Sequence, residues 1–201
     1  MCTIKLLLFT LISLTEGFMK PNSNGKISRS SVQSLGLSYL NSTNAACPGH
    51  CENGWAYLDE TDACYKTFYW ETFNNAESLC RNFGAHLTSI HSANENQFVA
   101  GLAQSGLEWP LGSGAKHATW IGLVRADDLN NKDWLWTDGT KVEFLAWAPS
   151  QPDDAGGIEH CGQLHSDPYT TAERALWYRK WNDYTCFTKV RSFVCKKMAL
   201  H

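Results

Sequence analysis

Trp120-Ile121-Gly122-Leu123-Val124 (WIGLV) is an apolar, β-prone run that predicts a strand in the middle of this 201-residue chain. Before it, apolar residues recur at helical spacing over residues 73–83, where Gly84 marks a helix end. Ser92, with Glu95 three residues later, resembles a capping box and predicts the start of a second helix.

Further short strands are expected on both sides of this run. Residues 55–58 and 64–69 predict a hairpin around a polar turn, and three later candidates are 135–136, 175–181 and 192–196. Gly, Asp, Asn and Pro crowd the segments between the later candidates. Two early helices followed by a long, loop-rich half predict an α+β fold. Loops of that length in one domain usually carry function.

The composition excludes several classes of function. A formal net charge of −3 gives no electrostatic reason to expect nucleic acid or an anionic membrane as the partner. Nine tryptophans and eight cysteines argue against disorder over most of the chain and against an ordinary cytosolic enzyme. The segment His86–His91 lacks the HExxH pattern, and no GxSxG motif occurs, so we expect no enzymatic activity.

The first 17 residues have the layout of a secretory signal peptide. A weakly basic start precedes the apolar run Leu6–Leu14, which is too short to cross a bilayer, and cleavage is expected after Gly17. No other stretch is apolar enough for a membrane span. We therefore expect a secreted, extracellular protein in a compartment where disulfides persist.

Residues 18–46 form a Ser- and Asn-rich segment that we expect to be flexible, and residues 47–197 form the folded domain. The flexible segment contains the glycosylation sequon at Asn41. Removal of the signal peptide removes Cys2 and leaves seven cysteines. An odd number leaves at least one thiol free or paired with another chain, and spacing alone does not decide the connectivity.

Two polar loops carry the candidate chemistry. Five side chains in them bear oxygen ligands: Gln151, Asp153, Glu159, Asn182 and Asp183. Three carboxylates and two amides satisfy most of the six to eight oxygen ligands that Ca²⁺ prefers. Either tripeptide alone, Gln-Pro-Asp or Trp-Asn-Asp, is also a common surface turn. Their combination with Glu159 and two flanking cysteines favours a calcium site.

From Cys51 to Lys197 the chain resembles a C-type lectin domain. The matching pieces occur in the family's order: Cys51-x-x-Gly54-Trp55, Cys64-Tyr65-Lys66, Ala76-Glu77-x-x-Cys80, Gly84-Ala85-His86-Leu87, Trp120-Ile121-Gly122-Leu123 and Phe193-Val194-Cys195-Lys196. The resemblance implies a disulfide-stapled α+β fold with two helices, small antiparallel sheets and a long binding-loop region. It also implies that residues 120–123 form a central core strand.

The resemblance further implies the disulfides Cys51–Cys64, Cys80–Cys195 and Cys161–Cys186. Cys47 is then left over, and we expect it to link two copies of the chain as a homodimer.

In this family the two tripeptides are the halves of the principal Ca²⁺ site, with Pro152 in the cis form. Two neighbouring sugar hydroxyls coordinate the ion and hydrogen-bond to its ligands, so the same five residues are expected to bind carbohydrate. The Gln-Pro-Asp version resembles galactose-type binders, whereas Glu-Pro-Asn resembles mannose-type binders. By analogy with soluble immune lectins, we expect galactose or N-acetylgalactosamine on microbial or cell-surface glycans as the ligand.

The chain departs from the family pattern at two places. Ala155 stands where many galactose-type members carry a sugar-stacking Trp, and Trp177, Tyr178 or Tyr169 from the later loop is the candidate replacement, unless these aromatics only pack. Arg125 and Leu129 stand where an accessory calcium site needs acids, although Asp127, Asp128 and Asp154 are near in sequence, so we expect no second ion. The alternative function is a lectin-like domain that binds a protein surface without recognising sugar.

Overall fold

The computed structural model describes residues 48–107, 115–126 and 133–201, which belong to the second of two units into which the chain divides, Pro48–His201. The expected hairpin is confirmed: β1 (Ala56–Leu58) pairs antiparallel with β2 (Ala63–Glu71) across the polar turn. The signal peptide, the segment 18–46 with Asn41, and Cys47 lie outside the described residues, as do Asp127, Asp128 and Leu129.

Both predicted helices are present as α1 (Phe73–Asn82) and α2 (Ala93–Ala103). Gly84 follows α1 with φ of +66°, a backbone region that glycine adopts without steric cost. At the start of α2 the Ser92 hydroxyl accepts the Glu95 N–H at 3.0 Å, as a capping box predicts. No helix in the described part of the chain has the length and apolarity to cross a membrane.

Besides three single-turn 3-10 helices, the described residues form six further strands and one short α-helix: β3 (His86–Leu87), β4 (Thr119–Arg125), β5 (Trp134–Trp136), β6 (Cys161–Leu164), α3 (Ala172–Ala175), β7 (Trp181–Tyr184) and β8 (Val190–Met198). The expected strand over residues 175–181 is wrong. Ala175 ends α3, where its N–H donates to the Thr171 carbonyl, and Arg179 has φ of +62°. Only Trp181 of that segment is in a strand, because a local helical turn and a left-handed residue interrupt the extended backbone.

The strands form one sheet of order β1-β2-β8-β4-β6-β7, with β3 added to β8 and β5 added to β4. Its pairs are antiparallel except β4–β8. The α+β class is confirmed, and the strands belong to one mixed sheet rather than to several small antiparallel ones. Strand β4, which contains WIGLV, lies inside this sheet, and Trp120, Ile121 and Leu123 are completely buried.

The glycine inside WIGLV is required by packing. A Cβ atom added to Gly122 would lie 2.4 Å from the Leu87 carbonyl oxygen, so β3 and β4 approach too closely for a side chain there. Trp181 on β7 is also fully buried, and its ring contacts Trp136 edge to face. The core therefore anchors the first residue of Trp181-Asn182-Asp183.

Three disulfides join Cys51 to Cys64, Cys80 to Cys195 and Cys161 to Cys186, which is the pairing that the resemblance implies. The Cys161–Cys186 bridge ties the start of β6 to the segment after β7. This bridge therefore braces the strand pair on which the candidate site is built.

Candidate functional site

The two polar loops meet at β7, because backbone hydrogen bonds attach the first loop to this strand. The Ala148 N–H donates to the Trp181 carbonyl at 2.7 Å, and the Gln151 N–H donates to the Ala148 carbonyl at 3.0 Å. The Gln151–Pro152 peptide bond that follows is cis, as expected. The loop thus turns back over the polar end of β7.

Asp183 holds the returning loop in place. Its Oδ1 accepts the Asp153 N–H at 3.1 Å and its Oδ2 accepts the Asp154 N–H at 2.8 Å. The Asp183 side chain is buried, on a strand position opposite Gly162. Gly162 has no room for a side chain, since a Cβ atom there would lie 2.7 Å from Leu123 Cβ. Tight packing of β4, β6 and β7 therefore positions this carboxylate.

Three carboxylates converge at this point. One oxygen from each of Asp153, Glu159 and Asp183 lies within 4.8 Å of the others, and in the described part of the chain this is the one group of acids, histidines or cysteines close enough to hold a metal ion. Glu159 is 9% exposed, and its Oε2 accepts the Ala155 N–H at 3.3 Å. The structure thus brings together the acids that the sequence predicts.

The two predicted amides complete the group. One terminal atom of the Gln151 amide lies 2.6 Å from Asp183 Oδ1, 3.0 Å from Asn182 Oδ1 and 3.3 Å from Asp153 Oδ1. As nitrogen, this atom donates to those oxygens; as oxygen, it completes a group of four oxygen atoms that repel one another unless a cation lies among them. The side-chain nitrogen of Asn182 donates to the Asp183 carbonyl, so its Oδ1 is the atom presented to Gln151.

The electrostatics of the group are most visible at Glu159. Burial, opposed by the hydrogen bond from Ala155 and assisted by the charges of Asp183 and Asp153, raises the pKa of its carboxyl to about 7. Three carboxylates within 4.8 Å of one another form a site of concentrated negative charge. Such a site favours the binding of a cation.

Asp154 takes no part in this convergence. Its Oδ2 lies 2.9 Å from Arg125 Nη2, and its Oδ1 accepts the Glu159 N–H at 3.2 Å and lies 3.7 Å from His160 Nε2. Burial acts to raise the pKa of Asp154, but the hydrogen bond and the charge of Arg125 outweigh it, so the pKa lies below its usual value. The sequence alone does not predict this pair, because no local signal joins residues 29 positions apart.

The aromatic candidates lie in the loop between β6 and β7. Trp177 is half-buried and contacts the His165 ring edge to face at 5.2 Å, and Tyr169 hydrogen-bonds to His165 Nδ1 at 2.8 Å. Tyr178 lies under the Arg179 guanidinium at 4.7 Å. His165 follows Gly162, the partner of Asp183, by three residues, which is roughly 10 Å along a strand. Ala155 is exposed beside the acids.

Several known proteins are similar to this chain. Perlucin of Haliotis laevigata is 35% identical over 138 residues, covering 66% of this chain and 77% of that protein. A mannose-binding C-type lectin isoform of Notechis scutatus scutatus is 33% identical over 160 residues, covering 78% and 87%. A galactose-binding isoform of Pseudechis australis is 33% identical over 161 residues, covering 79% and 88%.

Solved structures are also similar to this chain. The cow C-type carbohydrate-recognition domain of CD23, in the presence of an oligosaccharide, has a TM-score of 0.58 at 25% identity and covers 76% of this chain and 99% of that one. A calcium-independent type II antifreeze protein has a TM-score of 0.56 at 26% identity, covering 76% and 97%.

The family model of the lectin C-type domain matches residues 69–197. This carbohydrate-binding family is not a family of enzymes, in agreement with the missing catalytic motifs. With its fold, its three disulfides and its sugar-binding relatives, the chain belongs to the C-type lectin domain family.

Proposed function

We propose that this chain is a secreted, calcium-dependent lectin of the galactose type, with Gln151, Asp153, Glu159, Asn182 and Asp183 as its ion and sugar ligands. The observation that carries the proposal is that the negative charge of the three converging carboxylates has no counterion among the described residues. Among the described residues, no lysine, arginine or histidine forms an ion pair with Asp153, Glu159 or Asp183, whereas both nearby bases, Arg125 and His160, face Asp154. A divalent cation neutralises most of that charge.

The donor set favours Ca²⁺ over other divalent metals. All five side chains offer oxygen, which suits a hard cation, and no cysteine or histidine belongs to the group. Five ligands leave part of the six- to eight-fold shell of Ca²⁺ for water or for a bound molecule. C-type lectin domains typically bind Ca²⁺, and the residues of this chain fit that ion.

Sugar recognition then depends on how this chain presents donors and acceptors beside the ion. The acids accept hydrogen bonds from sugar hydroxyls, and the amide nitrogens of Gln151 and Asn182 donate to them. Bound Ca²⁺ supplies direct coordination of two neighbouring hydroxyls. The order amide at 151 and acid at 153 supports galactose or N-acetylgalactosamine as the ligand, on microbial or cell-surface glycans.

The relatives support sugar binding more firmly than they support the choice of sugar. One snake-venom relative is named as mannose-binding and another, equally similar, as galactose-binding, so overall identity does not discriminate between the two sugars. The choice of galactose therefore rests on Gln151-Pro152-Asp153 alone.

A second candidate is recognition of something other than sugar. The similarity to a calcium-independent antifreeze protein shows that this fold also serves proteins that do not use the ion. The complete set of five ligands favours the calcium-dependent lectin for this chain, because a domain without ion binding has no need to bury Asp183 and Glu159 unpaired.

The test is a glycan array probed with the secreted protein in calcium and again in excess chelator. We expect binding to terminal galactose or N-acetylgalactosamine that chelator removes and that the Asp153→Ala variant lacks. Asp59→Ala, which removes another exposed carboxylate, next to β1 at the end of the sheet opposite β7, is the matched control and keeps binding. Glycan binding that persists in chelator, or its absence in calcium, contradicts the proposal.

The proposed secretion makes a separate prediction. Cleavage of the signal peptide after Gly17 leaves Phe18 as the expected N-terminus of the secreted protein.

A further inference from the structure

Away from the candidate calcium site, a cavity with a volume of about 490 Å³ lies beside β3 and the end of β8. We call it the β3–β8 cavity, and the polar residues of its wall include His86, Ser89, His91, Asp138, Thr140, Lys196 and Lys197. Three strand spacings, roughly 14 Å, separate β8 from β7 and thus from the candidate calcium site. Its volume falls within the range of small-molecule sites.

The cavity wall offers hydrogen-bond acceptors. Asp138 Oδ1 accepts the Thr140 N–H at 2.9 Å and the Thr140 hydroxyl at 2.6 Å, both neutral donors. His86 Nδ1 lies 2.6 Å from Glu77 Oε1, while Glu77 Oε2 accepts the Leu87 N–H. A neutral His86 therefore carries its proton on Nδ1 and has an acceptor lone pair on Nε2.

The cations of the wall are already matched. Lys196 Nζ lies 2.6 Å from buried Glu95 Oε1 and also donates to Ser89, and Lys197 Nζ lies 3.0 Å from Glu52 Oε2. An anionic ligand therefore gains little binding free energy from these two lysines. The histidines and Asp138 do not come together as a metal site, since the described residues form such a group only around Asp183. The Ser89 and Thr140 hydroxyls both donate to Asp138, so what remains in the wall is mainly acceptors: the His86 imidazole, the Asp138 carboxylate and the hydroxyl oxygens. A neutral ligand rich in hydroxyl donors matches them.

Most of the wall surface is nevertheless apolar. Met198, which is 68% exposed, also lines the cavity, and Gly84 leaves open space because nothing lies within 4 Å of the position its Cβ would occupy. A pyranose has the same division, with C–H faces and hydroxyl edges.

We propose that the β3–β8 cavity binds a neutral pyranose without calcium, as a second sugar subsite independent of Asp153, Glu159 and Asp183. The two subsites differ in chemistry: one needs an ion and the other uses only side-chain hydrogen bonds and apolar contact. Two subsites on one chain allow a branched glycan to bind twice, which raises avidity without new contacts at either subsite.

The experiment is an amide NMR titration of the intact protein in excess chelator with the methyl glycosides of galactose, mannose, glucose and N-acetylglucosamine. We expect saturable shifts for at least one glycoside at Ser89, His91 and Thr140, with a Kd of about 1 mM or weaker. Thr140→Trp fills the cavity mouth and weakens this binding by about tenfold or more, while Thr140→Ser keeps the hydroxyl and stays within about twofold. Met198→Trp adds bulk at a second, exposed lining position and has the same effect as Thr140→Trp.

Absence of saturable shifts in the cavity for all four glycosides overturns the proposal, and so do shifts that neither tryptophan variant weakens. Addition of calcium separates this result from the proposed function. Shifts that appear over residues 151–159 only with calcium report the ion-dependent site, whether or not the β3–β8 cavity binds. Cavity shifts without any calcium-dependent binding contradict the proposed function alone.

Discussion

The guanidinium Nη2 of Arg125 lies 2.9 Å from Oδ2 of Asp154, immediately beside the three converging carboxylates. This ion pair neutralises the one acid of the loop that does not face the others. It also places a fixed cation on the side where an accessory calcium site would need acids. The pair thus explains why the negative charge is concentrated at Asp153, Glu159 and Asp183.

We therefore expect one calcium ion per chain in isothermal titration calorimetry and in native mass spectrometry. Replacement of Arg125 by Gln removes a unit charge near the ion, so the calcium affinity is expected to rise by about twofold or more. In chelator, the Arg125→Gln variant should unfold at a lower temperature than the wild-type protein, because Asp154 loses its ion-pair partner. Arg81→Gln, an exposed change on α1, is the control. Two ions per wild-type chain would contradict this interpretation.

Exchange of the amide and the acid tests the choice of sugar. The double variant Gln151→Glu, Asp153→Asn keeps the number of charges and oxygen ligands but reverses the donor and acceptor positions around the sugar hydroxyls. We expect calcium binding to persist and the galactose-to-mannose preference to shift toward mannose by about tenfold, or 1.4 kcal/mol. Competition by the two monosaccharides for a glycan-coated surface measures this ratio. A wild-type protein that already prefers mannose shows that the galactose interpretation is wrong.

Glu159 makes the calcium-free protein sensitive to pH. Its pKa of about 7 in the folded state exceeds the ordinary value of 4.5, so the folded state binds the proton more tightly than the unfolded state does. This contribution to stability is complete below pH 4.5 and is lost as the pH rises to about 7. Glu159→Gln should therefore raise the free energy of unfolding in chelator at pH 8, by about 3 kcal/mol at most, and by less than about 1 kcal/mol at pH 5.

With calcium at pH 8, we expect Glu159→Gln to lower the free energy of unfolding relative to the wild-type protein rather than raise it. The wild-type protein gains stability from the ion at pH 8, whereas Glu159→Gln loses a carboxylate ligand and gains far less. Denaturant titrations in calcium and in chelator at pH 5 and pH 8 give four free energies of unfolding for each protein. Equal stabilisation of both proteins by calcium would remove Glu159 from the ligand set.

Trp177 tests whether an aromatic side chain replaces the one missing at Ala155. If the half-buried ring stacks on bound sugar, Trp177→Ala weakens galactose binding by about fivefold or more and leaves calcium affinity unchanged. Leu176→Ala, at an exposed position of the same loop, is the control. Unchanged galactose affinity with a lower melting temperature assigns Trp177 to packing against His165 alone.

The leftover cysteine predicts a covalent dimer. The three disulfides of the domain use six of the seven cysteines that remain once the signal peptide carrying Cys2 is removed, and the seventh, Cys47, lies outside the described residues. We expect a dimer on non-reducing gels of the secreted protein and a monomer for Cys47→Ser. A monomeric wild-type protein with a titratable thiol contradicts this expectation.

The amino-acid sequence determined the features that depend on near neighbours along the chain. Apolar spacing and the Ser92 cap specify the helices, and WIGLV specifies β4, because helical hydrogen bonds and β-prone runs are local. The five candidate oxygen ligands are also predicted by the two polar tripeptides and Glu159. Residues 175–181 were wrongly assigned to a strand, since β-prone residues there are held in a turn by hydrogen bonds and by packing around His165.

Only the tertiary structure decided how charge is distributed in the site. Asp183 reaches the backbone of a loop 30 residues earlier, and Arg125 selects Asp154 rather than Asp153 at a separation of 29 residues. The pKa of Glu159 follows from burial and from carboxylates that strands β6 and β7 bring beside it. Such long-range contacts form because tight packing at Gly122 and Gly162 allows β3, β4, β6 and β7 to approach closely, which no local sequence pattern reveals.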